Sequence, residues 1–103
     1  MSGRLESLLN LLKKDPKDSF LIYGIALEYI SKKVYAKAEE YFKLLLQNDP
    51  KYLPAYMQYA RLKENLNEIE EAKNLYREGI KLAKEQKDQH AAKEMEDFLN
   101  DLE

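Results

Sequence analysis

A chain of 103 residues with no Cys and a single His has room for one small domain. It excludes disulfide staples, thiolate metal sites and cysteine nucleophiles, and it nearly excludes ordinary metal and acid–base chemistry. A net charge of −2 argues against nucleic-acid binding by phosphate neutralisation, and three Gly and three Pro among many Leu, Ala, Lys and Glu predict an all-helical chain.

The N-terminal "MSGRLESLL" lacks the apolar core of a signal peptide, and position 2 is not the Gly that myristoylation needs. The segment 3–14, "GRLESLLNLLKK", carries Leu5, Leu8, Leu9, Leu11 and Leu12, more leucine than one helix face needs. Lys13, Lys14 and Lys17 cluster at its end, where the helix dipole favours cations, and give no evidence for nucleic acid. The next helix spans 20–31, with Ile22, Ile25, Ala26 and Tyr29 on one face. Its run "FLIYGIALEYI" contains Glu28 and is too short to cross a bilayer, so a soluble, cytoplasmic protein is expected. "SKKV" breaks this helix, and residues 35–47 resume with Ala38, Phe42, Leu45 and Leu46. Asp49-Pro50 stops the second helix, because the residue before Pro is pushed out of the α region.

A further helix is expected near 56–66, with Pro54 suited to a first helical position. Asn67 then occupies a turn where a left-handed residue is common, and a helix near 69–86 follows. Residues 88–103 read as an amphipathic helix with Asp88 as N-cap and Ala91, Met95, Phe98, Leu99 and Leu102 on one stripe. It is expected to cap the preceding helices; the functional alternative is a detachable partner-binding helix.

"DPK" occurs at 15–17 and again at 49–51, 34 residues apart. Shifting the sequence by that period lays Phe42 on Leu8, Leu45 on Leu11 and Leu46 on Leu12. In the other direction Ala38 falls on Ala72, Phe42 on Tyr76, Leu46 on Ile80, Ala26 on Ala60 and Ile22 on Tyr56. Size and polarity recur, which is the signature of a helical solenoid.

The 34-residue helix-turn-helix unit resembles the tetratricopeptide repeat. Ile22 and Tyr56 stand at that family's large position, and Ile25-Ala26 and Tyr59-Ala60 at its apolar-then-small pair. Ala38, Phe42 and Leu45, then Ala72, Tyr76 and Gly79, match the second helix. Tyr29 and Pro50 fit, whereas Lys63 and Lys84 depart from the pattern in the second copy. The resemblance implies an all-α, tetratricopeptide-like solenoid of about six antiparallel helices with a C-terminal capping helix. One domain, 1–103, would comprise a half repeat at 4–16, repeats at 19–52 and 53–86, and the cap at 88–103.

It also implies a concave groove lined by the first helix of each repeat. The contacts expected there are Phe20, Tyr23, Gly24 and Leu27 in the first copy, with Ile30 and Ser31 beyond them. In the second copy they are Met57, Gln58 and Arg61, with Pro54, Glu64 and Asn65 beside them. Helix 20–31 is thus apolar toward both core and groove, and a patch of that kind marks an interaction site unless the leucine-rich N-terminal segment covers it. Gly24 would let another backbone approach. The carboxylate clamp of chaperone-binding relatives is missing: Tyr23, Leu27 and Gln58 stand in its places, and only Arg61 supplies a cation.

No residue pattern suggests catalysis, a metal or a cofactor. His90 has no companion ligands, the Glu39-Glu40 and Glu70-Glu71 pairs are adjacent and do not face each other, and there is no glycine-rich phosphate loop. Most of the Tyr residues fall on core positions rather than on a base-stacking surface. The expected function is a non-catalytic module binding a protein or peptide through the groove. The alternatives are a homodimer using the same apolar surface, or an accessory subunit of an enzyme; neither nucleic acid nor membrane is expected as a partner.

Overall fold

The computed structural model describes residues 3–103, all of whose regular structure is helical; the reading of position 2 falls outside them. In order, the helices are α1 (Gly3–Lys14), α2 (Ser19–Ser31), α3 (Tyr35–Asn48), α4 (Leu53–Asn65), α5 (Ile69–Glu85) and α6 (Gln89–Leu102). They form two compact units, Met1–Tyr52 and Leu53–Glu103.

In the first unit α2 packs against α3 and, less extensively, against α1. Ile22, Ile25 and Ala26 of α2, with Ala38, Phe42 and Leu45 of α3, are fully buried. These are the residues on the expected apolar faces. The small side chains of Ala26 and Ala38 suit the close helix approach that such faces need. Asp18 caps α2 by accepting the amide of Leu21 at 3.0 Å. At the same end of α2 the Ser19 hydroxyl donates to the Asp49 carboxylate at 2.8 Å, joining the start of α2 to the end of α3. The Tyr29 and Tyr41 rings stack with centroids 5.7 Å apart.

In the second unit α5 packs between α4 and α6. Tyr76 is fully buried there, and Ala60, Leu62, Ala72 and Met95 are buried in the same unit. Gly79 sets the closest approach. A methyl group there would lie 2.9 Å from Tyr56 Cβ and 2.5 Å from Met95 Sδ, so a side chain at this position would force its neighbours to shift. α4 begins at Leu53, one residue before the expected Pro54. Pro is tolerated in this first turn because its missing amide has no helical acceptor to lose. In α6 Asp88 caps as expected, accepting the Ala91 amide at 3.0 Å. The side chains that reach the core are Ala92 and Met95, and Ala91 sits at the edge of the buried stripe.

Asn67 takes the left-handed conformation expected of it, with φ 61°, and so do Lys33 at 63° and Lys87 at 61°. All three end a helix with the same pair of bonds. The left-handed residue's amide reaches back three residues, and the next amide reaches back five, as Lys33 to Ile30 and Val34 to Tyr29 do. That is the Schellman arrangement. Only Asn67 carries a sequence signal for it, because Lys has no preference for positive φ.

Candidate protein-binding surface

α2 presents Phe20, Tyr23, Gly24 and Leu27 along one side of the first unit. Phe20 is 69% exposed, and the other three are partly exposed. Tyr23 leans on Tyr52 with ring centroids 5.3 Å apart and planes tilted by 52°. Burial, and then the neighbouring phenol, push the Tyr23 hydroxyl above its ordinary pKa, so it stays neutral and offers a hydrogen-bond donor. The space over Gly24 is taken by Leu8 of α1, whose Cδ1 would lie 3.4 Å from an added methyl. The expectation that a foreign backbone reaches Gly24 is corrected accordingly: a side chain of the same chain lies there. Arg4 pairs with Glu28 at 2.9 Å, so α1 runs antiparallel along α2, with 4 beside 28 and 8 beside 24. α1 thus covers the middle of this side of α2 and leaves Phe20 exposed.

In the second unit Met57 and Gln58 of α4 are partly exposed. The Arg61 guanidinium lies over the Phe98 ring at 5.2 Å, a cation–π contact made by α6. Phe98 also stacks on Tyr76, with centroids 5.7 Å apart. Glu64, expected to face a partner, instead accepts the Tyr76 hydroxyl. Burial first, and this hydrogen bond second, drive the Tyr76 pKa far above its ordinary value. Arg61 and Glu64 are therefore already engaged with α6 and α5.

The departure at Lys63 has a structural resolution. Lys63 is buried, and its ammonium contacts Glu68 at 2.9 Å and Glu71 at 3.0 Å while lying 5.7 Å from the Tyr59 ring centroid. Where the first repeat stacks Tyr29 on Tyr41, the second ties α4 to the start of α5 with charge. Sequence reasoning missed this cluster, although carboxylates five and eight residues after Lys63 were its available signal.

The His and Glu side chains that could carry chemistry are dispersed. His90 is on the surface, 3.9 Å from Glu94. Glu70 pairs with Lys73 and Glu40 with Lys37, in both cases on their own helices. Among the described residues no three His, Cys, Asp or Glu side chains group to hold a metal ion, and no helix is long and apolar enough to cross a membrane.

The chain is similar to known proteins along most of its length. A family model described as tetratricopeptide repeat matches residues 29–95. A TPR repeat-containing protein of Pseudomonas aeruginosa is 24% identical over 98 residues, covering 95% of this chain and 93% of that protein. The solution structure of a tetratricopeptide repeat domain protein from Salinibacter ruber superposes with a TM-score of 0.81 at 30% identity, covering 85% of this chain and 89% of that one. A Bordetella parapertussis protein has the same fold, with a TM-score of 0.86 at 22% identity over 99% of this chain and 89% of its own. With the family model matching 29–95, from the end of α2 into α6, and the small and large positions buried in both helix pairs as the repeat requires, this chain belongs to the tetratricopeptide repeat family.

Proposed function

We propose that this chain is a non-catalytic module that binds a protein or peptide partner through the outer sides of its first-helix elements. Tetratricopeptide domains are generally protein–protein interaction modules and typically non-catalytic. In the first unit the contacts are Phe20, Tyr23 and Leu27. In the second they are Met57, Gln58 and the accessible part of Arg61. The observation that carries the reading is Phe20. A phenylalanine 69% exposed, on a helix whose opposite face is fully buried, has nothing to gain from folding and offers apolar area to a partner. The occupant's chemistry follows from the surface: apolar side chains for Phe20 and Leu27, and a hydrogen-bond acceptor for the neutral Tyr23 hydroxyl.

The test compares wild type with Phe20→Asp and Tyr23→Glu as baits for proteins of the source cell, followed by calorimetry with any protein identified. Loss of binding by about tenfold or more in either variant, with helicity unchanged by circular dichroism, is the expected result, since a buried aromatic anchor contributes on the order of 2 kcal/mol. A partner that binds Phe20→Asp and Tyr23→Glu as tightly as wild type would overturn this assignment.

A further inference from the structure

We propose that a second copy of this chain docks on α1, its own α1 running antiparallel across a two-fold axis between residues 9 and 10. The first unit has a groove of about 500 Å³ whose apolar lining comes from Leu9, Leu12 and Pro16 with Tyr41 of α3, and whose rim carries Glu6 and Lys13. Glu6 and Lys13 are exposed, and neither has an ion-pair partner among the described residues. Arg4 and Lys37, by contrast, are matched within the chain, Arg4 with Glu28 and Lys37 with Glu40.

The spacing selects the occupant. Glu6 and Lys13 are seven residues apart, two helical turns, so they share a side of α1 with Leu9 and Asn10 between them. Inverting α1 about a point between residues 9 and 10 puts Glu6 on Lys13 of the copy and Lys13 on Glu6 of the copy. Both charges are then matched by one operation, and the apolar groove floor is enclosed between two ion pairs. A patch complementary to its own inverse is what an isologous contact requires. A foreign helix would need the same charge order by coincidence, whereas a second copy carries it necessarily. Tyr41 is held in place by its stack on Tyr29, which makes it a pre-ordered anchor that loses little entropy on contact. The same ring lines a second shallow groove with Leu44, so the apolar patch continues along α3. This surface does not include Phe20, Tyr23 or Leu27, so it stands apart from the partner-binding side of α2.

The experiment is light scattering of the full chain over a concentration series for wild type, Glu6→Lys, Lys13→Glu and the double exchange. Wild type is expected to dimerise with rising concentration. Each single exchange turns both matched pairs into like-charge contacts and should weaken the dimer by about tenfold, and the double exchange should restore it. Because the chain has no Cys, Asn10→Cys adds an independent readout: next to the axis it should give a covalent dimer with a short bismaleimide, while Asn74→Cys in the other unit should not. A wild type that stays monomeric up to about 1 mM, the weak end of specific association, overturns the proposal. So does a dimer indifferent to the single exchanges, or a double exchange that fails to recover. Should a charge variant lose helicity, the Asn10→Cys cross-link decides alone: a product supports the contact, and none overturns it.

Discussion

At the scale of single residues, Gly79 and Tyr76 define the second unit. Gly79 is present because α4 and α6 both close on it, and Tyr56 Cβ cannot move without moving the backbone. Gly79→Ala should therefore destabilise the protein by about 1–3 kcal/mol, the range for overpacking, despite the better helix propensity of Ala. A chemical denaturation midpoint at unchanged m-value measures it. Gly24→Ala is the contrast. Its added methyl would meet only the end of the Leu8 side chain at an ordinary distance, so the helix-propensity gain of about 1 kcal/mol should survive. Tyr76 gives the chain a pH dependence of known sign. In the unfolded chain its phenol ionises near the ordinary value of 10.0, whereas the folded chain keeps the proton to higher pH. The folded state then binds more protons above pH 10, so this contribution is complete below that pH and is lost as pH rises through it. The limit is about 1.4 kcal/mol per pH unit for one proton. Tyr76→Phe should flatten the decline in thermal stability between pH 10 and 11.

At the scale of elements, the helix ends carry strain that sequence preferences would not choose. Lys33 and Lys87 are L residues with side chains held at positive φ, where Cβ crowds the following carbonyl. Lys33→Gly should relieve that crowding and raise stability by about 0.5–1 kcal/mol after allowing for the greater freedom of Gly in the unfolded chain. The same change at an exposed position inside a helix, such as Lys43, should do the opposite. Thermal melts of the two variants beside wild type give the comparison. Lys63 shows another use of an element's end. Its buried ammonium binds carboxylates from the start of α5, where the helix dipole also favours negative charge.

At the scale of the molecule, each unit has its own core, one centred on Phe42 and the other on Tyr76. Phe42→Ala should cost about 3–5 kcal/mol by opening a cavity among fully buried neighbours. Damage in a repeat protein is felt first by its own unit. Hydrogen exchange should thus show Phe42→Ala losing more amide protection within 3–52 than within 53–103, and Gly79→Ala the reverse. Equal losses in both units would mean that the chain opens as a single cooperative body.

The sequence by itself determined the helices, the 34-residue period, the recurring core positions such as Ile22, Phe42, Ala60 and Tyr76, and the family. All of these rest on periodicity and size, and a helix fixes the angle of every residue around its own axis whatever surrounds it. Asn67 and Asp88 were legible for the same reason, since their local chemistry states their backbone role. Tertiary structure decided what lies against each outward face. Only there does Leu8 cover Gly24, Phe98 stack on Arg61, Glu64 turn to Tyr76 and Lys63 find two carboxylates. These outcomes depend on which helix is the neighbour and how far along it lies, and a helical period specifies neither. Lys33 and Lys87 belong with them: their positive φ follows from the path α3 and α6 must take, not from any preference of lysine.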